Sequence, residues 1–358
     1  MRHWLDVPRE GMAEFFQTAG EPEYRQRQFF AWLHARRVAD FREMLDLPAT
    51  LREKLAAAGH LRVLTEKVLR RSADGLTSKW LYHTPATPSV GVSPVESVLI
   101  VEQGRRRRTV CVSSMAGCPL GCVFCATGGL GFRRDLTAGE MLEQVYRADC
   151  HARENQGEGV SHVVFMGMGE PLLNLEAVLA AADRLGDPQG LGLSGRRLTL
   201  STVGYPEGIR RLAEARRNWR LAVSLHAPRQ ELREKLVPAA RRWPLVELFQ
   251  ALSYYRQASS HAITFEYCLV DRVNAGVGEA RELVHLLQGC PARVNLIPLN
   301  PVDGFSGRPP PPPVVRRFQN ILREAGIPAT VRMEKGGDIN AACGQLGGEF
   351  LAPTPDKP

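Results

Sequence analysis

From Arg108 onward, short apolar, β-branched runs alternate with helical patterns six times, and this alternation constrains the fold more than any other feature of the chain. The apolar runs cover residues 109–113, 160–165, 197–201, 221–225, 263–269 and 294–297. The helical patterns cover 137–148, 175–185, 206–215, 245–256, 279–288 and 314–325. Repeated strand–helix units predict an α/β fold, a parallel sheet covered by outer helices. A complete barrel of this type has eight units; six predict an open, partial barrel. Polar motifs follow the strands: a cysteine loop after the first, Gly167–Glu170 after the second, Ser201 after the third, Ser224–His226 at the end of the fourth and Asn300 after the sixth. In barrels that end of the strands is the catalytic face.

The cysteine loop reads Cys118-Pro-Leu-Gly-Cys122-Val-Phe-Cys125, with Cys111 seven residues upstream. The C-x3-C-x2-C spacing lets three thiolates converge on one small object. A structural zinc site needs four protein ligands, usually on two C-x2-C arms. A four-iron cluster takes thiolates, and three of them leave one iron open for a substrate or cofactor. In Gly167-Met168-Gly169-Glu170 the glycines allow backbone to approach a ligand closely; the plainer alternative is a strand-to-helix turn.

Composition bounds the remainder. With 358 residues, 44% hydrophobic and 23% charged, the chain can bury a sizeable core. It has no apolar run long enough to span a membrane, and its first ten residues lack the apolar core of a signal peptide. A cytoplasmic location is expected, where eight cysteines are free, metal-bound or catalytic instead of disulfide-bonded. The net charge of +8 favours a polyanionic partner.

Residues 1 to about 60 predict short amphipathic helices, with Phe15, Phe16, Phe29, Phe30, Trp32 and Leu33 as core and Arg25, Arg27, Arg36 and Arg37 between them. Residues 65–110 predict hairpins, with Glu96 inside an apolar strand and a four-arginine run at 105–108 that is either a solvated strand end or a phosphate contact. Pro309 to Pro313 predict a stiff surface linker before the last helix. Residues 327–335 predict one more strand, and the glycine-rich tail from Gly336 carries Cys343 and ends in about six disordered residues. Cys150, Cys268 and Cys290 read as structural.

The string from Cys111 to Cys125, with Gly167-Met-Gly-Glu-Pro171, Ser224-Leu-His226, Asn295-Leu-Ile-Pro-Leu-Asn300 and Asp338-Ile-Asn-Ala-Ala-Cys343-Gly-Gln-Leu346, resembles the RlmN/Cfr family of radical S-adenosylmethionine RNA adenine methyltransferases. The resemblance runs from about residue 10 to about 350. It implies a helical accessory RNA-binding domain (1–62), an extended β-hairpin linker (63–107), a radical-SAM partial β/α barrel (108–335) and a catalytic-cysteine loop and tail (336–358). It assigns Cys118, Cys122 and Cys125 to a [4Fe-4S] cluster, and Gly169, Glu170, Ser201, Ser224, Leu225, His226 and Asn300 to S-adenosyl-L-methionine. Two molecules of the latter are consumed per turnover. Cys343 would carry a methyl group as S-methylcysteine and bond to the base as a methylene radical. Cys111 would release the product through a transient disulfide, and Glu96 would accept the proton from the modified carbon.

The implied substrates are ribosomal RNA, naked or pre-ribosomal, at the peptidyl-transferase centre, and tRNA beside the anticodon. An electron donor such as flavodoxin and a monomeric state are also expected. The rivals are methylation of carbon 8 in place of carbon 2, a radical enzyme acting on protein or metabolite, and an RNA-binding protein with a structural cluster. Three departures from the family pattern are expected near RNA-facing loops: Ala240 where asparagine is usual, Glu334-Lys-Gly-Gly337 before Asp338, and Met115 where glutamine is frequent.

Overall fold

The computed structural model describes residues 2–104 and 106–350. Ten strands form one sheet in which spatial order follows chain order. They are β1 (Thr65–Arg71), β2 (Thr77–His83), β3 (Pro94–Glu102), β4 (Arg107–Cys111), β5 (His162–Phe165), β6 (Leu198–Thr202), β7 (Arg220–Ser224), β8 (Ile263–Leu269), β9 (Ala292–Pro298) and β10 (Ala329–Val331). β1 to β4 pair antiparallel and β4 to β10 pair parallel. The hairpins therefore extend the sheet of the strand–helix units: Val98 of β3 stands opposite Cys111 of β4. β10 spans three residues, fewer than the run at 327–335 suggested.

The crossover helices are Ala138–Gln156, Leu175–Gly186, Pro206–Glu214, Leu245–Ala258, Val277–Leu286 and Pro312–Glu324. Each buries one stripe on the outer face of the sheet. Phe265 and Tyr267 of β8 stack on Phe249 and Phe318 of two of these helices, with centroids 5.9 and 5.3 Å apart. Side chains alternate along a strand, so Thr264, Glu266 and Cys268 turn to the inner face. The five-proline run is not wholly a linker. The last helix begins at Pro312, and Pro312 and Pro313 sit in its first turn. There a missing N–H costs nothing and a fixed φ suits the helix.

The N-terminal residues form helices Arg9–Thr18, Glu23–Phe30 and Ala49–Ala58, closed by a parallel pair of two-residue strands, Arg2–His3 and Gly59–His60. Phe16, Phe29, Phe30, Trp32 and Leu33 are buried and Phe15 packs at their edge, in one core continuous with the barrel. In the arginine run, Arg106 and Arg108 pair with Glu158 and Arg107 with Glu102. This fits a strand end braced by carboxylates. Arg105 and the disorder expected of the last residues lie outside the described residues.

Candidate active site

The cysteine loop leaves β4 through Val112–Ser114 and a short strand, Met115–Gly117, that pairs with Phe132–Asp135. Gly117 has φ +75°, and a Cβ there would lie 1.9 Å from the Gly131 carbonyl oxygen, so only glycine fits. The loop is tied down by its backbone: Cys118 N–H donates to Gly131 O, Val123 N–H to Leu236 O and Ala126 N–H to Gly344 O, at 2.8–3.1 Å. Cys118, Cys122 and Cys125 are free thiols against an apolar wall that includes Leu120, Phe124, Val203 and Val270. Burial pushes the Cys118 thiol up to about 12, and its neighbours Cys125 and Glu170 add to the shift. Burial also raises Cys122, with Cys125 and Cys118 adding and the Arg233 guanidinium opposing.

The three sulfurs thus feel one another across a water-poor recess. Among the described residues no three His, Cys, Asp or Glu side chains meet at the spacing of a single metal ion; a four-iron cluster is wider than one ion. The recess also supplies the countercharge such a cluster needs. Arg233 is 1% exposed and makes hydrogen bonds only to carbonyls, those of Leu225, Trp243 and Val203. The backbone N–H groups of Leu120 and Gly169 oppose the rise of the Cys118 thiol. Three thiols, a buried cation and these N–H groups fit a thiolate-ligated cluster.

Beside this recess lie the ends of β5, β6 and β7. The Gly167–Glu170 segment crosses Ser114–Met115, and Met168 O accepts from both of their N–H groups. Glu170 is buried, and its carboxylate accepts from Leu172 N–H and Val203 N–H at 3.1 and 2.8 Å. Burial raises it to about 7. With both oxygens engaged, the backbone of Gly169–Glu170 is what this segment can offer an amino group. Ser201 and Ser224 are half-buried on β6 and β7; Ser201 lies within its strand instead of after it. Leu225 N–H donates to Glu266 O.

His226 adopts φ +61°, unusual for a side chain of this kind. Asn274 holds it there, donating to the carbonyls of His226 and Cys268. Cys268 N–H donates to His226 Nδ1 at 2.9 Å, so the neutral ring carries its proton on Nε2. Burial lowers the imidazole to about 3 and keeps it neutral. Its ring lies 4.7 Å from that of Phe124 in the cysteine loop.

The tail closes the arrangement. Asn300 donates to Cys343 O at 2.9 Å, Thr127 Oγ1 to Leu346 O at 2.6 Å, and Gln345 bridges Ala342 N–H and Pro301 O. Cys343 is exposed, yet burial dominates the upward shift of its thiol, so it stands in a recess and not on a convex surface. Glu266 and Cys125 raise it further and Arg332 opposes them. Cys111, half-buried on the inner face, is raised by burial and then by Cys343. Cys111 packs against Ile339, Ala341 and Leu346 of the tail that carries Cys343. Glu96 is 1% exposed, which rules out a solvent-facing strand residue. Its Oε2 accepts Gly347 N–H at 2.7 Å, and Oε1 has no hydrogen-bond partner but lies 3.1 Å from Lys79 Nζ.

Several participants carry no motif. Arg233, Asn274 and Lys79 act through contacts that only the fold brings together, and no local pattern marks them. Cys268 was read as structural, but it stands on the inner face; its thiol is pushed up to about 12 by burial, with Cys343 and Cys125 as electrostatic neighbours. Alternation along β8 was the available signal. Two of the three departures do not face RNA. Met115 is buried beneath Gly169, and its sulfur accepts Glu170 N–H at 3.4 Å. Ala240 is buried beside Arg233's helix, with its carbonyl accepting from Gln230.

Comparison with known proteins bears on this geometry. A family described as the ribosomal RNA large subunit methyltransferase N-terminal domain matches residues 3–60, and the radical SAM superfamily matches residues 112–284. The chain is 46% identical over 345 residues to a probable dual-specificity RNA methyltransferase RlmN of Moorella thermoacetica, covering 95% of each. It is also 46% identical to the dual-specificity RNA methyltransferase RlmN of Halorhodospira halophila, covering 97% of this chain and 93% of that one. The crystal structure of a radical SAM methyltransferase from Sphaerobacter thermophilus superposes with a TM-score of 0.92 at 42% identity, over 96% of this chain and 99% of that one.

Proposed function

The chain belongs to the RlmN family of radical S-adenosylmethionine RNA methyltransferases, and on that premise we propose that it methylates carbon 2 of an adenine in 23S ribosomal RNA and in tRNA next to the anticodon. The observation that supports this reading is the packing of Cys111 against the tail segment that carries Cys343, beside the cysteine triplet. An enzyme that only cleaves S-adenosylmethionine has no need of two further thiols there.

Carbon 2 of adenine lies between two ring nitrogens and is electron-poor, so it does not take a methyl cation. The [4Fe-4S] cluster with S-adenosylmethionine supplies one-electron chemistry when bound and reduced. Cys118, Cys122 and Cys125 would hold the cluster, with Arg233 balancing its charge. The Gly169–Glu170 backbone, Ser201, Ser224, Leu225, His226 and Asn300 would orient the S-adenosylmethionine. Cys343, as thiolate, takes a methyl group from a first molecule by displacement. After hydrogen abstraction from that methyl group, its carbon bonds to the base. Glu96 removes the proton from the modified carbon. Cys111, as thiolate, attacks the Cys343 sulfur and breaks its bond to the methylene carbon, which takes a proton to become the methyl group as the disulfide forms. The one electron left over would be taken up by the bound cluster. Each turnover uses two S-adenosylmethionine molecules. Among the described residues no helix is long and apolar enough to cross a membrane. The reading includes a cytoplasmic, monomeric enzyme served by a donor such as flavodoxin.

The test is nucleoside analysis of unmodified ribosomal RNA and tRNA after treatment with the reduced, anaerobically reconstituted enzyme. 2-Methyladenosine from wild type but not from Cys343→Ala supports the reading. 8-Methyladenosine moves the target to the neighbouring ring. Cleavage of S-adenosylmethionine with no methylated adenosine overturns the RNA assignment.

A further inference from the structure

Lys79 lies on β2, 3% exposed and without any sequence motif. A buried ammonium is costly unless paired, and this one is paired three ways. Its Nζ is 3.1 Å from Glu96 Oε1, 2.9 Å from Glu349 Oε1 and 3.3 Å from Asn340 O. The first partner is on β3; the other two lie in the tail on either side of Cys343. Arg70 on β1 meets the same Glu349 oxygen at 2.9 Å. Asp338 accepts Ala73 N–H at 2.8 Å from the turn between β1 and β2. Gly347 N–H closes the circuit on Glu96 Oε2. One cation thus touches both the carboxylate assigned as proton acceptor and the segment that presents the methyl-carrying cysteine.

We propose that Lys79 is a positioning residue that keeps Glu96 ionised and holds the Cys343 tail against it, so that the proton acceptor and the methyl carrier are set by a single contact. The inference rests on the reading of Glu96 and Cys343 given above. The charged groups facing Glu96 are Lys79 from β2 and Glu349 from the tail, with Arg70 behind Glu349. Burial raises the Glu96 carboxyl, the Lys79 ammonium opposes that rise, and Glu349 adds to it. Without the ammonium Glu96 holds its proton to higher pH and cannot take another from the base. With it, Glu96 is ionised, its Oε1 paired with Lys79 Nζ at 3.1 Å, and the proton leaving the modified carbon goes to this carboxylate.

Two readouts separate this role from a merely structural one, and both use the full-length reconstituted enzyme. The first is amide hydrogen exchange over residues 336–350 without RNA. Lys79→Met and Glu349→Gln are expected to lose roughly tenfold or more of their protection there while helix Ala138–Gln156 stays protected. The second is the pH dependence with which the protein–RNA adduct resolves, followed on denaturing gels. Lys79→Met shifts the profile to higher pH and slows resolution roughly tenfold per unit of pKa shift on the acid limb of the profile. Lys79→Arg restores most of the rate, and Glu349→Gln, which removes a carboxylate that raises Glu96, moves the profile the other way, to lower pH.

If Lys79→Met does not fold, the charge-balanced Lys79→Met/Glu96→Gln protein carries the exchange comparison and Lys79→Gln, set against Lys79→Arg, carries the pH comparison. Unchanged tail exchange together with an unshifted profile overturns the inference. If Glu96→Gln resolves the adduct like wild type, the reading of Glu96 falls and this inference with it. If Glu96→Gln stalls while Lys79→Met does not, only the role of Lys79 falls.

Discussion

Two segments dock on the barrel from opposite ends of the chain, and they are held in opposite ways. The N-terminal module shares a continuous apolar core with the barrel helix Ala138–Gln156 and adds ion pairs sealed from water. Arg37 lies 2.8 Å from Asp149, which is fully buried and also takes Arg153. Glu143 of the same helix accepts the N–H groups of Val63 and Leu64, Asp6 accepts Gly139 N–H, and His34 meets Tyr146 at 2.7 Å. The tail, by contrast, has two single-turn helical pieces and left-handed glycines at 336, 344 and 347. It is fastened by discrete contacts with Lys79, Glu96, Asn300, Thr127, Pro301 and Ala73 over a small apolar patch, Ile339, Ala341 and Leu346 against Val98 and Met168, separate from the main core. A module that grips a substrate from a fixed position needs the first kind of joint. A cysteine that must meet a methyl donor, a nucleic-acid base and a second thiol in turn needs the second.

Substitutions should separate the two joints cleanly. Cys343→Ala abolishes methylation and leaves the urea midpoint within about 0.5 kcal/mol of wild type, as expected of an exposed side chain. A large loss of stability would mean that the tail is part of the core. Asp149→Ala does the reverse. It strands the Arg37 guanidinium in the core and costs about 3–5 kcal/mol of stability, while protein that remains folded still incorporates a full complement of iron.

The joints should differ in acid as well. Burial lowers His34 to about 3, and Arg184 adds to the shift. The unfolded chain takes up that proton first, near the ordinary value of 6.5. The stabilisation is therefore complete above that pH and is lost as pH falls toward about 3, by a few kcal/mol. Thermal melts of His34→Asn should show a flatter acid limb than wild type. The smallest effect is local. Gln345→Ala removes the bridge between Ala342 and Pro301, costs about 1 kcal/mol and speeds exchange only within the tail.

The same contrast explains what could be read in the sequence. The strand–helix units were legible because each is a local pattern of apolar spacing; the six predicted strands and five of the helices lie within a few residues of their expected bounds, and the first helix, expected at 137–148, runs on to Gln156. The aromatic core of the N-terminal module was legible for the same reason. Motif residues were legible through their spacing. Lys79, Arg233 and Asn274 were not, because Lys79 and Asn274 each join a near partner to a distant one, Glu349 and His226, that only the fold brings close, and Arg233 meets carbonyls that any sequence supplies. Met115 and Ala240 were assigned to loops because a departure from a pattern says nothing of burial. The proline run was read as a linker because its composition hides where a helix starts.

The central claim is that Cys343 and Cys111 work as a pair, and trapping tests it most directly. Cys111→Ala, reconstituted, reduced and supplied with S-adenosylmethionine and unmodified ribosomal RNA, should accumulate protein covalently bound to RNA. Peptide mapping of that adduct should place the link on Cys343, and Cys111→Ala/Cys343→Ala should form none. Turnover of Cys111→Ala at the wild-type rate, or a link at another thiol such as Cys268, would contradict the account.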